Sequence, residues 1–342
     1  MGINAGLGIA NFSFDDPKGF WRWVDLCDEG GVDSIWQSDR IIESSPNLET
    51  MSVMAALAGR TSKIKFGMNV ASLGLRNPIL MAKTCATVDF LSEGRLLPAF
   101  GVGSALSRDF TATGTETKGR GKRTDEGLQI MSRLWSQDHV SFDGEYYQLD
   151  DASISPKPIQ QPLPLWVGGS SKQAIERTAK WGTGWQAGIE SPGEIAPVIS
   201  SIKERATELD RMIPEDHFGA GFAFRFGSPE EEMVSRQKDL LSKRLKKDPS
   251  ELMAVGNKVD IMELSNKFLD AGAQKFILRP IASGTEDMLE QPTRLITEVL
   301  PEIASLRQRR HHGTIQQVLR RRRTKIHPQA NRIGNTRYAR AD

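Results

Sequence analysis

The feature that most restricts this 342-residue chain is an alternation of short apolar runs with helix-like segments. Residues 3–12 (INAGLGIANF), 32–39 (VDSIWQSD), 63–71 (KIKFGMNVA), 95–104 (RLLPAFGVGS) and 163–169 (LPLWVGG) read as strands. Segments 21–31, 49–59, 77–92 and 119–136 between them read as helices, with Pro78 in a first turn where a missing N–H does no harm. Beyond residue 169 the rhythm continues through KQAIERTAKW, TGWQAGI, PGEIAPVISSIKERATEL, GAGFAFRFG, MELSNKFLDAGA, KFILRPI and DMLEQPTRLITEVLPEI. Such alternation implies parallel strands joined by crossover helices. About eight repeats over roughly 300 residues predict an α/β chain folded as a (β/α)8 TIM barrel with insertions. An open doubly wound sheet is the alternative, but no G-x-G-x-x-G follows the first strand.

Two segments interrupt the rhythm. HVSFDGEYYQLDD, 139–151, alternates about Asp143-Gly144 and reads as a β-hairpin. The charged stretch 228–256 reads as a helical insertion between strand seven and its helix. The barrel is accordingly expected over 1–306. Residues 307–342 hold eleven Lys/Arg and one acid, which leaves 34 basic and 42 acidic residues and a net charge near −8 for the body. That balance excludes a uniformly basic nucleic-acid binder. The tail itself is expected to be disordered or loosely attached, with a composition suited to nucleic acid or an acidic surface.

No window approaches eighteen consecutive apolar residues, so no membrane span is expected. The N-terminus lacks the basic and apolar regions of a secretory signal. Cys27 and Cys85 lie far apart in apolar surroundings and read as reduced thiols. Together these place the chain in the cytoplasm.

A barrel carries its active site at the C-terminal ends of its strands. Read in order, those ends supply Asn11; Gln37 to Arg40; Asn69 to Ser72; Gly101 to Ser104; Gly168 to Ser171; Trp185 and Gln186; Arg225; and Arg279. This rim is poor in acid–base groups. Before the tail the histidines are His139 and His217, neither at a strand end, and no metal-ligand spacing exists, so no metal is expected. A serine triad lacks both its histidine and G-x-S-x-G. A carboxylate pair lacks its second acid, since only Asp39 stands at a strand end. Small residues and bare backbone suit instead a large flat ligand, with reactivity supplied by a cofactor. Gly168-Gly169-Ser170-Ser171, between an apolar run and a helix start, is a turn able to hold a phosphate, and Ser170 with Gln173 fits a capping box.

The segments VDSIWQSDRI, MAALAGRTSKIKFGMNV, RNPILMAKTCATVDFLSEGRLLPAFGVGS, GRGKRTDEGLQIMSRLW and LPLWVGGSS, in this order and spacing, resemble the luciferase-like monooxygenase superfamily. That superfamily includes flavin-dependent monooxygenases and oxidoreductases that use the deazaflavin coenzyme F420. The resemblance runs from about residue 3 to 300 and is densest from Val32 to Gly188. It implies a non-prolyl cis peptide at Asn69-Val70 behind the coenzyme ring. Gly101, Gly103 and Ser104 would pass beside ring and phosphate. Gly168, Gly169, Ser170 and Ser171 would form the phosphate turn, with Arg120 and Arg123 nearby. Asp39, Arg40 and Asn69 would surround the reacting face.

One departure shapes the functional expectation. Many F420-using relatives carry Asp-His after strand two, and this chain has Asp39-Arg40. Arginine remains cationic and is no base at neutral pH. The resemblance therefore implies a monooxygenase that uses reduced FMN and O2 on a small organic substrate, supplied by a separate flavin reductase and assembled as a homodimer. The alternatives are hydride transfer with F420, a flavin-binding barrel without turnover, and a phosphate-binding isomerase or lyase.

Overall fold

The computed structural model describes residues 3–43 and 45–306. The basic segment 307–342, and the expectation attached to it, lie outside the described residues. In chain order the strands are β1 (Asn4–Ile9), β2 (Ser34–Gln37), β3 (Lys65–Met68) resumed as β4 (Ala71–Ser72), and β5 (Leu96–Leu97) resumed as β6 (Ala99–Gly101). Then come β7 (Val140–Asp143), β8 (Gln148–Ala152), β9 (Trp166–Gly168), β10 (Gly184–Gln186), β11 (Phe218–Ala220) resumed as β12 (Ala223–Phe226), β13 (Met253–Gly256) and β14 (Lys275–Pro280).

Parallel ladders run β1–β2–β3 and then from β3 to β5 and from β4 to β6, so two bent strands lie side by side. They continue from β6 through β9, β10 and β11 to β14, which pairs back onto β1. The barrel strands therefore close into a ring, with β13 added outside it on β12. Crossover helices lie between successive barrel strands: α1 (Pro17–Glu29), α2 (Thr50–Arg60), α3 (Pro78–Leu91), the one-turn α4 (Arg108–Ala112) followed by α5 (Arg120–Ser136), α6 (Lys172–Trp181) and α7 (Pro192–Glu208). α8 (Glu232–Leu245) and β13 precede α9 (Lys258–Asp270), and α10 (Thr285–Arg294) follows the last strand.

The helix starts follow from local chemistry. Asp16 and Asn77 accept main-chain N–H groups ahead of Pro17 and Pro78, each cap being worth about 1 kcal/mol. Two cores result. The larger lies between sheet and helices, where Trp23, Val24 and Cys27 of α1 are fully buried. The smaller fills the barrel, where Trp36, Leu97, Ala99, Trp166 and Ile277 pack with Val70. The Trp36 and Trp166 rings meet edge-on at 5.9 Å, each burial worth on the order of 4–6 kcal/mol before entropy costs. Below them, the buried Lys275 ammonium is ion-paired to Asp33.

Two expectations are corrected. The insertion near 228–256 is not helical throughout: Met253–Gly256 is strand β13, paired parallel to β12 from Ala223↔Met253 to Phe226↔Gly256. The cap of α6 is Ser171, whose oxygen accepts the Ala174 N–H at 3.2 Å, not Ser170. The hairpin of β7 and β8 forms as expected. No described helix is long and apolar enough to cross a membrane.

Candidate functional site

Asn69 and Val70 join β3 to β4 through a non-prolyl cis peptide, and the Asn69 N–H donates to the Gln37 carbonyl at 2.8 Å. The junction presents Val70 over the barrel filling. A Cβ added at Gly101 would lie 2.9 Å from Val70 Cγ2, and one at Gly168 would lie 2.8 Å from the same atom. Both glycines thus leave room for the valine side chain. Val70 with its two glycines forms a small apolar platform at the C-terminal end of the ring. The side-chain amide of Asn69 beside it has no hydrogen bond among the described residues.

Gly103, at φ +71°, turns the chain after β6 against Phe110 of α4, whose ring would lie 2.9 Å from a Cβ there. Ser104 beyond it is exposed, and its hydroxyl accepts the Leu106 N–H at 3.2 Å.

After β9 the corner is partly open. Gly169 has φ +105°, its N–H donates to the Gln186 carbonyl at 3.3 Å, and its own carbonyl accepts the Trp185 indole N–H at 2.8 Å. Ser170 donates its hydroxyl to Glu190 Oε1 at 2.6 Å, while Glu190 Oε2 is buried without a partner. The main-chain N–H groups of residues 170–173, around the start of α6, are unpaired among the described residues. Unpaired donors at a helix N-terminus favour an anion.

The two arginines expected near this corner differ. Arg120 reaches toward the rim and donates to the Gly103 and Thr117 carbonyls at 3.4 and 3.3 Å. Arg123 instead binds the Glu116 and Lys118 carbonyls and lies over the Tyr146 ring at 5.6 Å, while its Nε is buried without a partner among the described residues. An ion pair between Asp125 of α5 and Arg177 of α6 ties the two helix starts together.

Asp39 and Arg40 are neighbours with separate surroundings. Asp39 is buried and takes a bidentate pair from Arg76, both oxygens at 2.7 Å, plus the Ser72 N–H at 2.9 Å. Burial opposes the Arg76 charge, and the hydrogen bonds and charge of Asp39 outweigh it, holding that guanidinium above its ordinary value. Arg76, 37 positions away, is a partner that no sequence motif marked. Arg40 points outward, donates to the Asp39 carbonyl at 3.2 Å and stands 3.8 Å from Glu43. Its loop is fixed by buried Asp109, which accepts the Ile41 and Ile42 N–H groups.

Two cavities open here. One of about 390 Å³ is lined by Arg40, Glu43, Ser104, Arg108 and Arg244. The other, about 320 Å³, lies between α8 and the ends of β1, β12 and β14. Met233, Arg236, Gln237, Leu240, Leu241 and Arg244 of α8 line it, spaced three and four apart, so one helix face covers the mouth. That spacing was present in the sequence and is the signal that would have marked α8 as part of the site.

The family model described as luciferase-like monooxygenase matches residues 4–291. The chain belongs to this family. Among curated relatives, an uncharacterized protein of Mycobacterium tuberculosis is 32% identical over 174 residues, 51% of this chain and 59% of that protein. The F420-dependent glucose-6-phosphate dehydrogenase of Amycolatopsis mediterranei is 28% identical over 209 residues, 58% of this chain and 62% of the relative. The chain thus spans about three fifths of the length of these curated relatives. A dehydrogenase of the same name from Kineococcus radiotolerans is 27% identical over 271 residues, 71% of this chain and 76% of that protein. Solved structures share the fold. Monooxygenase RslO1 from Streptomyces bottropensis has TM-score 0.77 at 18% identity, covering 88% of this chain and 100% of its own. An F420-dependent secondary alcohol dehydrogenase in complex with an F420-acetone adduct has TM-score 0.75 at 20% identity, covering 89% and 99%.

Proposed function

We propose that this chain is an oxidoreductase that lays a flavin-type coenzyme across the barrel mouth, and that it acts as a monooxygenase with reduced FMN and O2. The observation that carries the coenzyme reading is the Val70 platform facing a corner of unpaired N–H groups at residues 170–173. The residues fit such a group at three points. Val70 offers an apolar surface for a ring, the free Asn69 amide stands at its polar edge, and the start of α6 offers main-chain donors for a phosphate arm. Of the two expected cations, Arg120 donates to the Gly103 carbonyl at the end of β6 and Arg123 to the Glu116 carbonyl. When bound, the coenzyme supplies the electron transfer that no side chain of this rim supplies.

The chain's own residues bind, orient and shelter. Asp39 acts through Arg76 and the Ser72 N–H, holding the chain that follows the platform. α8 covers the mouth and restricts water. Oxygenation is preferred over hydride exchange because oxidising an alcohol by hydride transfer needs a base beside the substrate to take its O–H proton. Asp39, the acid at this strand end, is engaged by Arg76. The named dehydrogenase relatives support F420 as the second reading. A flavin reductase delivering the reduced coenzyme and a second copy of the chain are the partners in the first reading.

Anaerobic titration with reduced FMN and with reduced F420, followed by equilibrium dialysis, separates these. Micromolar binding of reduced FMN, with substrate-dependent product on admitting oxygen, is expected. Tight binding of reduced F420 alone sinks the monooxygenase reading. Binding of FMN without product across aldehydes, ketones and organic acids leaves a flavin-binding barrel. Failure of both coenzymes to bind overturns the coenzyme reading itself.

A further inference from the structure

We propose that the cavity beneath α8 takes an organic anion, its charged group held by Arg244 and Arg279 with Arg40 alongside, and its apolar body lying along the helix. The proposal deepens the reading above, since it names the substrate class the barrel would act on, but the binding site stands on its own geometry.

Several arginines of this fold are matched to acids. Arg76 has Asp39, Arg177 has Asp125 and Arg205 has Glu176. Arg225, at the end of β12, meets Glu231, Asp287 and the Ile281 carbonyl. Of the three arginines lining the cavity under α8, Arg236 is paired with Glu232, while Arg244 and Arg279 have no ion pair among the described residues. Arg279, at the end of β14, makes a single long hydrogen bond, 3.4 Å to the Gly221 carbonyl, and no ion pair among the described residues. Arg244, in the last turn of α8, makes neither a hydrogen bond nor an ion pair among the described residues. It lines both cavities, so it links the Arg40 side of the mouth to the Arg279 side.

The charges register one another. Burial, then Arg244, pushes the Arg279 guanidinium down to about 10. Desolvation, then Arg40, lowers Arg244 as well, against the opposing pull of Glu43. Glu43 is the acid on this face, and it already lies 3.8 Å from Arg40. Cations placed together with so little acid to match them are relieved by an anion between them. The Arg279 stem packs over Gly8, where an added Cβ would lie 3.1 Å from its Cγ. Ile9, Ile189, Leu240, Leu241 and Met288 supply an apolar stretch of the wall, beside polar Asn11, Ser13, Gln237 and Ser283. A guanidinium pair at one end and aliphatic side chains along the wall suit a carboxylate or phosphate monoester on a hydrocarbon body.

The test is calorimetric titration of the full chain, without coenzyme, by octanoate, octyl phosphate and 1-octanol. At least one anion is expected to bind about tenfold or more tightly than the alcohol, and to weaken with salt. Arg244→Ala and Arg279→Gln should each weaken that anion by about tenfold and leave 1-octanol unchanged. Arg279→Lys, which keeps the charge if the glutamine variant fails to fold, should retain most of the affinity. Lys243→Ala removes an equal charge from α8 outside the cavity and should change nothing. Carboxylate and phosphate sources are told apart by which anion binds. Equal affinity for alcohol and anions, no binding of either anion, or binding that survives Arg244→Ala with Arg279→Gln overturns the proposal. Since no coenzyme is present, failure of FMN and F420 to bind would remove the oxidoreductase reading and leave this result intact.

Discussion

Val70 occupies the space that a Cβ would need at both Gly101 and Gly168. Adding one methyl at Gly168 brings it within 2.9 Å of both Val70 methyls, so the valine must shift. Gly168→Ala is expected to destabilise by about 1–3 kcal/mol, the usual cost of overpacking. In a Val70→Ala background the same change should cost markedly less. A double-mutant cycle by urea denaturation measures the difference, and additivity would refute the contact. Residue-level reading of the sequence located these positions but could not show that Val70 fills the space beside them. Composition records that a side chain is missing and says nothing of what fills the space. The same limit applies at Ser170 and Ser171. Either hydroxyl can cap a helix, and the choice was settled by Glu190, twenty positions later, which receives the Ser170 hydroxyl. Asp39 likewise stood beside Arg40 in sequence, yet its partner is Arg76.

At the level of elements, α6 and α7 are joined by a charge pair with a readable acid limit. Hydrogen bonds from Arg205, then from Lys180, hold the Glu176 carboxyl down from 4.5 to about 2. A carboxyl lowered on folding stabilises above its unfolded value, and that contribution is lost as pH falls through the folded one. Glu176→Gln should therefore lower stability slightly at neutral pH and flatten the loss between pH 4.5 and about 2, followed by denaturation at a series of pH values. The effect is small because the pair is more than a third exposed. Helices were the legible elements: capping residues, Pro at first turns and Gly after last turns lie within a few positions of one another. β13 was missed because four residues, Met-Ala-Val-Gly, form a strand only through the ladder with β12, thirty positions earlier. The helical face of α8 was legible in its spacing, but that it lies over a barrel mouth follows only from closure of the ring.

For the whole molecule, strand count and order followed from the alternation because a closed parallel sheet is the compact solution for eight such units. Association is less determined. Leu80, Phe90 and Leu91 of α3 are exposed, and a second copy of this chain is the partner that the family resemblance implies. Sedimentation equilibrium should give twice the chain mass, and Leu80→Glu with Phe90→Glu should return it to the single mass with helix content unchanged. A native chain that sediments singly at all concentrations rules the dimer out. The pairing of β12 with β13 bears on how such a protein changes over evolutionary time. The excursion that carries α8 departs at Phe226 and returns at Met253, and β13 then runs parallel alongside β12, with the Gly227 N–H donating to the Gly256 carbonyl at 3.1 Å. Everything between those two strands is a cassette whose length and lining can be exchanged while the eight staves stay closed. Acquiring a new appetite in this architecture is therefore a matter of grafting rather than of rebuilding.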